Sequence, residues 1–245
     1  HKLSCMNGEH CSFNIKGNGL SNQDRLAIIP LGVECGSLTA VFAEGFTPSN
    51  GRAPLGSWSF TEKTFDLGVL QVRKSGEFTV CYCTHYTVLD SGTFCERPSD
   101  FRNSAGTLNV IGVASGTEQR AVAGTEFMLV IYGNQLRFWD GLIIVRNTIP
   151  CGDPSITGND PAVIHEDDLV GRASGDDTFS VWKNVVITQA GDYHGCWCGS
   201  MSGMIINACQ FMKDHVTVAV TIKVAGPIVT DQEAYVGRNS MIKVF

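Results

Sequence analysis

Apolar and polar residues alternate with a period of two along most of the chain, in short runs. In the second half this pattern predicts strands at Glu126 to Tyr132, Gly141 to Arg146, Val163 to Ala173, Thr178 to Trp182, Val185 to Thr188, Asp192 to Cys198 and Val216 to Val224. Gly, Asn, Asp and Pro separate the runs, and these are the residues that turns require. No window of 11 residues carries an i, i+3, i+4, i+7 apolar face, so helices are not expected. Strand parity places Phe78, Val80 and Tyr82 on one face, and Tyr193 and Trp197 likewise, with Cys81, Cys83, Cys196 and Cys198 on the other. The aromatic face is expected to pack the core.

The chain also repeats itself. Gly17-Asn18-Gly19-Leu20, followed by Asp24, Leu26 and Ile28, returns as Gly133-Asn134-Gln135-Leu136, followed by Asp140, Leu142 and Ile144, at an offset of 116. Cys35-Gly36 returns as Cys151-Gly152 at the same offset, Gly76 to Cys83 as Gly191 to Cys198 at 115, and Cys95 as Cys209 at 114. A third copy opens, with Thr107 to Gly112 aligning with Thr221 to Gly226 and Phe127 to Ile131 with Met241 to Phe245. The expected divisions are therefore 1–112, 113–226 and a truncated 227–245. Seven short strands within about 110 residues of the second copy point, with the repeat, to an all-β chain of tandem immunoglobulin-like antiparallel β-sandwiches. No Ser/Gly tract separates the copies at Gly112-Val113 or Gly226-Pro227, so a flexible linker is not expected.

Ten cysteines fit this scheme as four per copy plus a pair. The spacing is C-x45-C-x-C-x11-C in the first copy and C-x44-C-x-C-x10-C in the second. Cys5 and Cys11 stand where the second copy has Ala121 and Phe127, and are expected to face each other across a hairpin as a disulfide. Four cysteines allow three pairings. Cys81 and Cys83 lie two apart on one strand, about 7 Å from each other, too far to bridge without distortion. The preferred scheme joins Cys35 to Cys81 and Cys83 to Cys95, and likewise Cys151 to Cys196 and Cys198 to Cys209. Zinc ligation and thiol redox chemistry are the alternatives, though structural zinc favours C-x2-4-C. Disulfides imply an oxidising compartment, hence secretion or the cell surface.

Composition narrows the function classes. Of the 245 residues 43% are hydrophobic and only 17% charged, which excludes disorder. The net charge is −6 with no Lys/Arg cluster, so nucleic acid is not an expected partner. No apolar run approaches the roughly 18 residues of a membrane span. His1, His10, His85, His165, His194 and His215 are not shared between copies, and neither Gly-x-Ser-x-Gly nor His-Glu-x-x-His occurs. The histidines are expected at the surface or in loops, and the chain is expected to be non-enzymatic and without a cofactor. Asp153, Asn159, Asp160, Glu166, Asp167, Asp168, Asp176 and Asp177 crowd the middle of the second copy. Such hard oxygen ligands suit Ca2+, although the spacing matches no EF-hand and a solvated acidic loop is the plainer reading. Phe138-Trp139 is the candidate ligand-binding or interface pair, because its first-copy counterpart, Asn22-Gln23, is polar.

Two sequence patterns resemble known families. Val122-x-Gly124-x-x-Phe127-x-Leu129-x-Ile131-x-Gly133-x-x-Leu136 resembles the E-set branch of immunoglobulin-like domains that includes filamin repeats. Gly-x-[Phe/Tyr]-x-x-Cys-[Tyr/Trp]-Cys, at Gly76 to Cys83 and Gly191 to Cys198, is similar to cysteine-bearing repeats of very large surface proteins of alveolate protists. Phe78 and Cys81 are three apart, whereas antibody-type domains space an aromatic and the cysteine by two. The resemblance implies an extracellular, structural or adhesive segment whose partners are neighbouring repeats and other copies in a filament or surface assembly. A receptor or adhesin that binds protein or carbohydrate through its loops is the alternative.

Overall fold

The structure, a computed structural model, describes residues 2–44, 46, 59, 61–70, 72–84, 95–137, 140–164, 174–199, 209 and 211–226. The chain is all-β, and among the described residues the helical segments are single 3-10 turns at Pro98–Asp100 and Met212–Asp214. It divides into two compact units: unit 1 is His1–Ala114 with Gly133–Gln135, and unit 2 is Ser115–Tyr132 with Leu136–Phe245. The proposed third copy, 227–245, lies outside the described residues.

Unit 1 carries β1 (Lys2–Met6), β2 (His10–Lys16), β3 (Arg25–Pro30), β4 (Glu62–Val69), β5 (Gly76–Cys83) and β6 (Asn103–Val113). One sheet runs β3-β5-β6-β1, in which β5 is antiparallel to both neighbours and β1 is parallel to β6, from Lys2↔Thr107 to Met6↔Ile111. A second, two-stranded sheet pairs β2 with β4 around Phe13↔Phe65. The turn at Asn7-Gly8 carries the chain from one sheet to the other. Buried Asn7 fixes it, its amide donating to the carbonyls of Val72 and Val113 (3.0 Å each) while its side-chain oxygen accepts from Val72 N at 2.9 Å.

Parity explains the core. Leu26, Ile28, Phe78, Val80, Tyr82, Leu108 and Val110 of the first sheet meet Ile15, Phe65 and Leu67 of the second in one cluster. The aromatic face is thus inside, as the alternation predicted. The cysteine face is inside as well: Ala27, Ile29, Cys81, Cys83, Cys95 and Phe101 form a second cluster, covered by Val33, Cys35 and Phe42 from the long loop after β3. That is why β3 reads as a continuous apolar run rather than an alternating one.

Unit 2 carries β7 (Thr117–Val122), β8 (Glu126–Asn134), β9 (Gly141–Arg146), β10 (Val163–Ile164), β11 (Ser174–Gly175), β12 (Phe179–Ile187), β13 (Gly191–Cys198) and β14 (Thr217–Ala225). One sheet runs β9-β13-β14-β7, with β7 parallel to β14. In the other β12 pairs antiparallel with β8, and β10 and β11 add to β12.

Two strand expectations change. Thr178 to Trp182 and Val185 to Thr188 are one strand, β12, because Lys183-Asn184 forms a bulge, not a turn. Asn184 sits at φ 57, and the pairing with β8 resumes at Val185. Of the expected Val163 to Ala173, Val163–Ile164 is strand and 165–173 lie outside the described residues. β7 was not expected, because an edge strand that buries only Ala121 shows no apolar alternation.

Candidate functional site

Five disulfides use every cysteine, which leaves no thiolate for zinc or thiol chemistry. They join Cys5 to Cys11, Cys35 to Cys81, Cys83 to Cys95, Cys151 to Cys196 and Cys198 to Cys209, the pairings that the spacing favoured. One geometric expectation was wrong. Cys5 and Cys11 do not face each other across a paired hairpin, because β1 belongs to the sheet of β6 and β2 to that of β4; the bridge ties the two sheets together. In each unit the C-x-C strand is anchored twice, once to the loop after β3 or β9 and once to the segment leading into the last strand.

Beneath the turn after β2 lies a buried polar cluster that composition alone did not reveal. Lys63, on β4, is fully buried, and its ammonium donates to the carbonyls of Ser21 (2.9 Å), Asn22 (3.0 Å) and Asp24 (2.7 Å). The same Nζ lies 4.8 Å from the Phe65 ring centroid. The buried Asp24 carboxylate accepts from Ser21 N at 2.6 Å and from the Tyr82 hydroxyl. Burial holds the Lys63 ammonium below its ordinary pKa, with the Asp24 charge opposing. The Tyr82 hydroxyl is pushed well above its ordinary value by burial, then by its hydrogen bond to Asp24.

Tyr82 also floors an open cleft of about 540 Å³, within the range of ligand sites. Its lining comes from the end of β2 (Lys16), the turn after it (Gly17, Asn18, Leu20), Thr84 just past β5 and the start of β6 (Asn103 to Gly106). This lining offers backbone groups, amides, hydroxyls and one ammonium. It pairs no nucleophile with a base.

The acidic residues of unit 2 are engaged separately. Asp153 accepts from Ser155 N at 2.8 Å, and the Ser155 side chain, then this backbone bond, hold its carboxyl below the usual range. Asp160 accepts from Ala162 N at 2.9 Å and pairs with Arg146 at 3.3 Å. Among the described residues no group of three or more His, Cys, Asp or Glu side chains is arranged to hold a metal. Glu166, Asp167 and Asp168, and the pair Phe138-Trp139, lie outside the described residues.

The histidines differ from expectation where the sheets bury them. His10 is exposed and 3.1 Å from Asp66, but His215 is buried, in the position that Phe101 occupies in unit 1. Gly141 makes room for it, since a Cβ there would stand 2.7 Å from His215 Nε2. His85 and His165 are outside the described residues.

His194, half-buried on β13, has no hydrogen-bond partner for Nδ1 among the described residues. Burial lowers its pKa from the ordinary 6.5, with Asp192 pulling the other way. Between that lowered value and 6.5 the unfolded chain binds more protons than the native one, so stability is whole above 6.5 and is lost as pH falls through the window. His194→Thr, the residue found at the unit 1 counterpart Thr79, is expected to flatten that slope in thermal unfolding between pH 7.5 and 5. An unchanged slope would assign it to another group.

Among the described residues no helix is long and apolar enough to cross a membrane. Compared with known proteins, the chain matches no family model and no curated sequence.

Proposed function

We propose that the chain is a non-enzymatic, tension-bearing segment of an extracellular or cell-surface protein, built from tandem immunoglobulin-like sandwiches stapled by disulfides. The observation that carries this reading is the parallel pairing of each unit's first strand with its last, β1 with β6 and β7 with β14. Pulling the two ends of such a unit apart slides these strands past each other, so their hydrogen bonds are loaded together rather than opened one by one. The staples limit how far a ruptured unit can extend, because Cys35–Cys81 and Cys151–Cys196 lock sequence separations of 46 and 45 residues. Five disulfides also favour an oxidising, extracellular setting. The resemblance to surface-protein repeats points the same way.

Stretching the chain between its ends by single-molecule force spectroscopy tests the proposal. Two unfolding events are expected, one for each unit, and reductant should lengthen the chain released by each. Opening Cys35–Cys81 alone frees 46 residues, about 150 Å at roughly 3.3 Å per residue. Extension that begins at low force and ignores reductant would overturn the reading.

A further inference from the structure

One sheet face of unit 2 is apolar where its counterpart in unit 1 is polar. In unit 1 the outward side chains of β2 and β4 pair as Ser12 with Asp66, Asn14 with Thr64 and Lys16 with Glu62. The Thr64 hydroxyl donates to Asn14 Oδ1 at 2.6 Å, and His10 adds its contact with Asp66. In unit 2 the matching strands are β8 and β12. Their outward pairs are Val130 with Val181 and Tyr132 with Phe179, while Val186 stands beside both Glu126 and Ile164. Met128 faces the same way, opposite the Lys183-Asn184 bulge.

A solvated antiparallel sheet face is normally polar, as in unit 1. Here Met128, Tyr132 and Ile164 are 56%, 54% and 57% exposed, although Leu129 and Ile131 on the inward side of β8 are buried. Among the described residues the face carries one acid, Glu126, and one base, Lys183, so it is neutral in a chain of net charge −6. Copies of an acidic chain repel one another, and a neutral face is where they approach without that penalty. Its apolar surface is roughly 400 to 500 Å² per copy, about half of the 800 Å² per partner that a stable interface buries. That is too little for a permanent dimer and suits a weak contact repeated between chains lying side by side.

We infer that the outward face of β8 and β12 is a docking surface for the same face of a second copy of this chain. A twofold axis parallel to the strands lays β8 on the second copy's β12, which sets Tyr132 over Phe179, Val130 over Val181 and Met128 over the stem of Lys183. The two sheets then stack about 10 Å apart, as they do in the core of a sandwich. Glu126 comes diagonally within reach of the second copy's Lys183, twice in each pair by symmetry. The inference deepens the tension-bearing reading, on which it rests, by naming the surface through which neighbouring chains share load.

The test dilutes the isotope-labelled 245-residue chain from about 1 mM to about 20 μM, a range that brackets a weak contact, and follows its amide resonances. Concentration-dependent shifts are expected at Met128, Val130, Tyr132, Phe179 and Val181, and sedimentation should show a reversible dimer. Tyr132→Lys, at an exposed position, should keep the unfolding midpoint yet weaken association at least about tenfold, since each pair loses two aromatic contacts. Glu126→Lys and Lys183→Glu should each associate more weakly than the parent. An equimolar mixture of the two should regain the parent's strength, because every contact between positions 126 and 183 again joins opposite charges. Resonances that ignore concentration, shifts confined to other surfaces, a mixture no stronger than either variant, or a response of these amides to simple saccharides with none to concentration would each overturn the docking face. If the chain stays monomeric while reductant still lengthens the stretching steps, the face is wrong and the tension-bearing reading stands; if those steps ignore reductant, that reading has failed and the charge swap alone judges the face.

Discussion

Replacing Cys35 and Cys81 together by alanine is expected to destabilise unit 1 by about 4 kcal/mol, the unfolded-chain entropy restored by opening a 46-residue loop. Cys81 is fully buried among Ala27, Ile29 and Phe101, so the lost sulfurs also leave poorly filled space, which adds to that figure. Domains of this size hold only about 5 to 15 kcal/mol in all. In urea the variant should therefore split one early transition from the rest, displaced by about 2 M if m is near 2 kcal/mol/M. Unit 2, with Cys151–Cys196 intact, is the internal reference. A midpoint displaced by less than about 0.5 M would show that the loop after β3 is held by its apolar packing alone.

Lys63→Met should cost about 3 to 5 kcal/mol, as breaking a buried, compensated charge does. Methionine matches the lysine stem but not the ammonium, so the carbonyls of Ser21, Asn22 and Asp24 lose their shared donor and the Asp24 carboxylate its nearby cation. Adding Asp24→Asn removes the uncompensated charge and should recover part of the loss, which a double-mutant cycle measures. A signature in pH separates charge from packing. Because the Lys63 pKa is lowered in the fold, the native chain binds fewer protons than the unfolded one from that value up to 10.5, and this residue makes stability rise with pH there. Tyr82 acts in the opposite sense: its pKa is raised, so its contribution is present below 10 and is lost as pH climbs beyond. Lys63→Met should abolish the rising component and leave the falling one. Stability within about 1 kcal/mol of the parent, with an unaltered pH profile, would mean that water replaces the ammonium at little cost.

The sequence was most legible where burial is two-sided or strictly alternating. β9 was read at its observed limits, Gly141–Arg146, because every residue from Gly141 to Val145 is buried. β5 and β13 were read from aromatic and cysteine parity, although the second core beneath the cysteines was not, since the loop that covers it has no periodicity. Lys63 was overlooked because Glu-Lys-Thr-Phe-Asp reads as a wet strand. Its parity was the available signal, for Lys63 lies on the same side of β4 as the buried Phe65 and Leu67. Asp24 hid similarly in a turn-like Ser-Asn-Gln-Asp.

The parallel pairing of first and last strands also sets a clock on synthesis. Lys2 leaves the ribosome 105 residues ahead of Thr107, its partner. At about 5 to 20 residues per second β1 therefore waits about 5 to 20 s with no sheet to join. Cys5 and Cys11, six residues apart, are the first cysteines of unit 1 to emerge, and their bridge can hold β1 beside β2 through that interval. Cys35 meets Cys81 and Cys83 almost together, on the same strand face, before Cys95 has been made. The nascent unit thus passes through a stage at which the wrong thiol is available and the right sheet is unfinished, and the unit's own first strand is the last to find its place.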